Sequence, residues 1–471
     1  MNLPDDAFSI IVQFLPSHYA FSLTCKRFND LMRKYVVPTD SQVIRVFQNN
    51  YPKRTMLRLI EDKRVNLGTH DSIVLNLAIL IGDCDIVARL LKDDRIDPTA
   101  DNNAPLLLAC AYGDEQIVSI LLKDKRINPN SRDCLIDAIW SGNYNVVKLL
   151  MNDSRIDPSI NDNLPIRKAT ILGNKQIVSL LLSDSRVDPS ACDNEALIHA
   201  IENNYVEIVG YLLKHPRIDP SKNRNKAVRV AAKHGAFESL VLLLKDSRVN
   251  AADKNNTAII KASENNHYEI VSLLMKMKGV DPSAQNNLAL RRACVYGNYN
   301  VIRILIKDPR IEPSIDVLFY LVKYNECKCI KAIISHPFFR KNAHEAIMIL
   351  LYNNSNIEHI KALLPFSNCT DNVPYLLKAI ERYNFVAFKY LLSLKNTQVT
   401  NEVIISAFKF GSYDIISLLV DLHLPKIRNM KTYKDDLICY ALLYGFDDIA
   451  TKIRENPLTW KMLNWFKKIK N

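Results

Sequence analysis

Arginines are the residues of this chain whose spacing most invites chemistry. Arg64, Arg95, Arg126, Arg155, Arg186, Arg217, Arg248 and Arg310 recur at nearly constant intervals, and such a row of guanidinium groups is what an anion-binding ladder would need. Their neighbours point elsewhere. Asp93 and Asp97 flank Arg95, Asp153 and Asp157 flank Arg155, and Asp184 and Asp188 flank Arg186. A guanidinium that meets carboxylates of its own and the adjacent segment is already neutralised, and holds register rather than an external anion.

The remaining reactive side chains offer less. Cys327-x-Cys329 lacks the second Cys or His pair of a metal site, and His70, His199, His234, His267 and His344 fall at repeat positions or turns. No H-E-x-x-H, phosphate-binding glycine loop or G-x-S-x-G elbow occurs. No catalytic, cofactor-binding or metal-ligating residue is assigned, and no enzyme is expected. The formal charge of +12 is spread thinly over 62 basic and 50 acidic side chains, which argues against nucleic acid as the partner. The ten cysteines lie mostly at helical positions (Cys84, Cys110, Cys192, Cys294) and read as small core residues of a reducing compartment. The start, MNLPDDAFSIIVQF, lacks the basic region of a secretory signal, and no apolar run approaches the ~20 residues that span a bilayer. These features predict an intracellular protein of the cytoplasm or nucleus.

The elements that carry the arginines are short helices. In Asp162 to Ser190, Asp162 is a candidate N-cap and Pro165 suits a first turn. Ile166, Ala169 and Thr170 mark one face of a first helix, and Gly173-Asn174 ends it and starts the next. Ile177, Val178, Leu180, Leu181 and Leu182 form the second helix, and Asp188-Pro189 returns the chain to extended geometry. Helices this short need neighbours. The first-helix alanine recurs at Ala78, Ala109, Ala138, Ala169, Ala200, Ala231, Ala262 and Ala293, in steps of 31 broken once by 29. A fixed period of this size means stacked units. Past Pro313 the pattern decays, but second-helix cores continue at Ile330, Ile360, Phe388, Ile415 and Ile449.

This pattern resembles the ankyrin repeat. Ala104 to Ala109 (A-P-L-L-L-A) stands for T-P-L-H-x-A, Gly113 and Gly142 for the interhelical glycine, and Ile117-Val118 with Leu121-Leu122 for the second helix. The period is shorter than the family's 33 residues, and D-x-R-I-D-P replaces G-A-D-V-N at the tip. In this the chain looks like ankyrin arrays of large DNA viruses of protists, which implies a host-cell location. The resemblance implies an all-α helical solenoid of about fourteen units. It also implies that the two residues before each break face a concave binding surface. They read Leu80-Ile81, Ala111-Tyr112, Trp140-Ser141 and Ile171-Leu172, then Glu202-Asn203, Lys233-His234 and Glu264-Asn265, then Val295-Tyr296. The first four are apolar or aromatic, so Leu80, Tyr112, Trp140 and Leu172 are the candidate contacts for a target protein.

Residues 1–35 depart from the repeat and resemble an F-box, the helical module that docks a Skp-type adaptor of cullin-RING ubiquitin ligases. Leu3-Pro4-Asp5-Asp6, Ile11 to Pro16 and Cys25-Lys26-Arg27-Phe28 carry the likeness. Tyr19 stands where an acid is common, and the interval from Pro16 to Phe28 is about two residues short. By resemblance, Leu3, Pro4, Ile11, Phe14, Leu15, Leu23 and Phe28 would contact the adaptor. The expected organisation is thus 1–35 F-box-like, 36–54 connector or degenerate first helix, 55–313 regular repeats, 314–455 degenerate repeats and 456–471 a capping helix. The implied function is recruitment of a target protein to a ubiquitin ligase. The alternative is a binding scaffold or competitive inhibitor without that link.

Overall fold

Short antiparallel helix pairs build the protein throughout residues 39–67, 73–130, 134–323, 326–395 and 397–454, which the computed structural model describes. The F-box-like stretch with its seven adaptor candidates, His70 and the C-terminal capping helix lie outside the described residues. Among the described residues the chain is helical, with no strand. It divides into two compact units. One runs through Ala227 and includes Val241–Val249, and the other holds Val228–Leu240 and the residues from Asn250 on.

In the first unit, the first helices Ile73–Ile81, Ala100–Tyr112, Cys134–Trp140, Ile160–Ile171 and Ala191–Glu202 pack each on the next. The second helices Cys84–Leu91, Glu115–Leu122, Tyr144–Met151, Lys175–Leu182 and Val206–Leu213 do the same behind them. Asp40–Gln48 and Lys53–Glu61 form one more such pair, against Ile73–Ile81 and Cys84–Leu91. In the second unit, first helices pack in sequence from Asp253–Glu264 to Lys434–Leu443. Its degenerate second helices Cys327–Ile334, Ile357–Leu363, Phe385–Leu392, Tyr413–Arg428 and Asp447–Ile453 bury Ile330, Ile360, Phe388, Ile415 and Ile449.

The alanine period has a steric cause. All eight alanines from Ala78 to Ala293 are fully buried where helices cross closely, so a larger side chain would overpack the site. Each break likewise needs a left-handed residue. At Gly173 (φ +70°) an added Cβ would lie 2.6 Å from the Tyr205 ring of the next hairpin. At Gly235 (φ +77°) it would lie 2.5 Å from the His267 imidazole. Asn174 starts the following helix as expected, its Oδ1 accepting from the Ile177 N–H at 3.1 Å.

Two expectations need correction. Asp162 is not an N-cap. Asn161, Asp162 and Asn163 are three consecutive left-handed residues (φ 52°, 53°, 59°), and the regular helix begins after them. The same triplet recurs at Asp101–Asn103, Cys192–Asn194, Asn223–Asn225, Lys254–Asn256 and Gln285–Asn287. Left-handed backbone costs an ordinary residue roughly 1–2 kcal/mol, so something must hold it. The third residue is always asparagine. Asn103, Asn163, Asn194 and Asn225 are buried, and Asn256 and Asn287 half-buried. Asn103, Asn163, Asn194, Asn256 and Asn287 bond the backbone of the next hairpin. Asn163 Oδ1 accepts from the Asp188 N–H at 2.7 Å, and Asn256 Oδ1 from the Asp281 N–H at 2.9 Å. Asn194 Nδ2 donates to the Asp219 carbonyl at 2.7 Å and Asn287 Nδ2 to the Glu312 carbonyl at 2.6 Å.

The cysteines are the second correction. Cys110 and Cys294 are core residues, but Cys84 is half-buried against Gln116 and Cys192 is exposed within a left-handed triplet. Cys327 and Cys329 diverge, one exposed and one buried. Among the described residues no group of three or more His, Cys, Asp or Glu is arranged to hold a metal ion.

Candidate binding face

The arginine ladder fastens hairpins, though not as expected. Arg186 donates from Nε and Nη2 to Asp184 at 3.1 and 2.7 Å, and from Nη1 to the Ile156 carbonyl of the preceding hairpin at 2.8 Å. Arg95, Arg126, Arg155 and Arg310 repeat this pattern on the carbonyls of Val65, Ile96, Ile127 and Val280. The cross-hairpin partner is thus mainly backbone, not a second carboxylate. The downstream acid serves its own turn instead, as where Asp188 Oδ1 accepts from the Ser190 N–H and hydroxyl. Arg217 departs, with His215 in place of the aspartate. These bonds engage the guanidinium groups within the chain and make hairpin fastening their role.

Hydrogen bonds from these arginines hold the carboxyls of Asp93, Asp124, Asp153, Asp184 and Asp308 below their usual range, against the opposing effect of burial. Asp246, bonded by Arg248, falls from 3.8 to about 2. A depressed folded-state pKa stabilises above the unfolded value and loses that stabilisation as pH falls through the folded one. Unfolding midpoints at fixed ionic strength are therefore expected to drop between pH 3.8 and about 2. Arg248→Gln, which removes the partner of Asp246, is expected to flatten that dependence, and an unchanged slope in the variant would contradict the assignment.

The structure places all four candidate target contacts at the surface. Leu80, Tyr112, Trp140 and Leu172 are 45, 67, 54 and 36 % exposed. They end consecutive first helices that pack side by side, so they form one row. Ile81 and Ile171 are half-buried beside them. Lys168 of the next helix lies 5.3 Å from the Trp140 ring centroid, a cation–π contact that steadies the indole without covering it.

The row then turns polar. Arg167 pairs with Glu195, which also meets His199 Nε2 at 3.2 Å, and His199 Nδ1 lies 3.3 Å from Glu202. Burial raises the Glu195 pKa, but Arg167 and His199 outweigh it and keep the carboxylate ionised.

Tyr296, placed from sequence before its break, is exposed, and a further group of exposed aromatics in the second unit lies outside the sequence expectation. Tyr352, Tyr383, Phe410 and Tyr444 lie at the breaks or within two residues before them. Arg382 stands 4.5 Å over the Tyr352 ring and Tyr444 bonds the Lys409 carbonyl at 2.8 Å. The available signal was an aromatic just before each break, obscured by the irregular hairpins after Pro313. No helix among the described residues is long and apolar enough to cross a membrane.

Alternating first and second helices, a left-handed break, a fully buried alanine and hairpins clasped in register describe one repeating unit. No curated protein matches the chain. The family model described as ankyrin repeats (three copies) matches residues 75–162 and again 228–317, and these stretches of the chain are ankyrin repeats.

Proposed function

We propose that the chain is a protein-binding adaptor that holds a target on the face marked by Leu80, Tyr112, Trp140 and Leu172. The observation that carries this reading is the exposed apolar row on four adjacent first helices. Ankyrin repeats support a protein–protein role. An exposed apolar patch rimmed by polar groups is the usual mark of an interaction site, and tryptophan and tyrosine dominate binding energy in such sites.

In this reading the N-terminal residues deliver the bound target to a cullin-RING ubiquitin ligase. Leu3, Pro4, Ile11, Phe14, Leu15, Leu23 and Phe28 would contact its Skp-type adaptor. The support is the sequence likeness of residues 3–31 to the F-box. The ligase chemistry belongs to the partner subunits, so the chain itself needs no catalytic residue, and its setting is the cytoplasm or nucleus of a eukaryotic cell, the host's if the chain is viral. Pull-down of the full chain from a eukaryotic lysate is expected to bring adaptor and cullin, and deletion of residues 1–35 is expected to lose both. Their absence from both samples would leave a scaffold or competitive inhibitor acting through the repeat face alone.

A further inference from the structure

A group of side chains in the second unit is arranged beyond the needs of packing. His344, on helix Ala343–Tyr352, places Nδ1 3.1 Å from Cys369 Sγ and 3.0 Å from the Tyr375 hydroxyl. Ser367 Oγ lies 2.5 Å from that hydroxyl and accepts from the Cys369 N–H at 3.3 Å. Tyr375 is wholly buried, its ring centroid 5.4 Å from the imidazole. Burial pushes its phenol far above the usual range, so it stays an O–H donor.

An imidazole Nδ1 carries either one proton or one lone pair. When Tyr375 donates to Ser367, that lone pair is left to accept the Cys369 proton. Cys369 is half-exposed and His344 exposed, so a small reagent can reach the sulfur. Cys192 is more exposed, yet among the described residues it has no imidazole within hydrogen-bond reach.

We propose that Cys369 and His344 form a nucleophile–base pair, and that Cys369 is a site of thiol–disulfide exchange with low-molecular-weight disulfides. The Cys369 thiol gives its proton to His344 Nδ1 while its sulfur attacks one sulfur of the small disulfide. A new S–S bond forms to Cys369 and the reagent's own S–S bond breaks. The departing thiolate takes the proton from the imidazolium. The products are a mixed disulfide and one small thiol, with the oxidising equivalent supplied by the reagent. Once modified, the sulfur no longer holds a proton to share with His344, and the link between the Ser367–Asn372 loop and helix Ala343–Tyr352 is lost.

The test uses the full chain, reduced and then freed of reductant, with hydroxyethyl disulfide at neutral pH. Site-resolved mass spectrometry follows the mixed disulfides over time. Cys369 is expected to react at least about tenfold faster than Cys192, because a thiol sharing its proton with a base reacts faster than its exposure alone predicts. In His344→Gln its rate is expected to fall to that of Cys192, which serves as the internal standard. Equal rates in the native protein, or an unchanged Cys369 rate in folded His344→Gln, would overturn the pair. Modification of the buried Cys110 and Cys294 would reveal an unfolded variant, and the native ratio would then decide alone.

Discussion

Asn163→Ala is expected to destabilise the first unit by about 2–5 kcal/mol, through two separate losses. The first is the hydrogen bond from the Asp188 N–H to Asn163 Oδ1, 2.7 Å long and 25 residues away in sequence. Without it the amide is left partly buried and unpaired, a cost of about 1–3 kcal/mol. The second is conformational. Asn163 holds φ at 59°, as third of a left-handed triplet. Asparagine tolerates that region through local hydrogen bonding, whereas alanine meets a steric penalty of roughly 1–2 kcal/mol there. Asn163→Gly separates the two, since glycine removes the bond but not the backbone freedom. Urea unfolding should place Asn163→Gly between the native protein and Asn163→Ala. Equal loss in both variants would mean that the left-handed backbone carries no strain.

That asparagine also marks how far the sequence could be read. The helix pairs, the buried alanine and the glycine break were legible because period and steric need coincide at Ala169 and Gly173. Ala169 is fully buried, and Gly173 takes φ +70°. The triplet was not legible. Asp162 looked like a helix cap because aspartate commonly caps, and only the tertiary bond from Asn163 to Asp188 makes a left-handed run preferable. The arginine fasteners were half legible. Arg186 with Asp184 follows from spacing, but its bond to the Ile156 carbonyl depends on how neighbouring hairpins stack.

The binding row was legible as far as the repeat stayed regular. Leu80, Tyr112, Trp140 and Leu172 were placed by counting back from each break. The aromatics from Tyr352 to Tyr444 escaped that count because the hairpins before them change length. His344, Cys369 and Tyr375 come together across hairpins, and no spacing rule reports such a meeting.

The second large effect concerns binding. An aromatic anchor in a protein interface commonly contributes 2 kcal/mol or more, so truncating Trp140 should weaken target capture roughly thirtyfold. Tyr112, the most exposed of the four, lies on the adjacent helix and should behave alike. Neither ring is in the core, so Trp140→Ala and Tyr112→Ala should leave the unfolding midpoint nearly unchanged. Tyr211, exposed on a second helix in the same unit, supplies the control. The decisive measurement is capture of co-purifying proteins from a eukaryotic lysate by the native chain, Trp140→Ala, Tyr112→Ala and Tyr211→Ala, at matched folded concentrations. Loss of the same partner in the first two variants and its retention in Tyr211→Ala is the predicted result. Full retention of every partner by both Trp140→Ala and Tyr112→Ala would contradict the account.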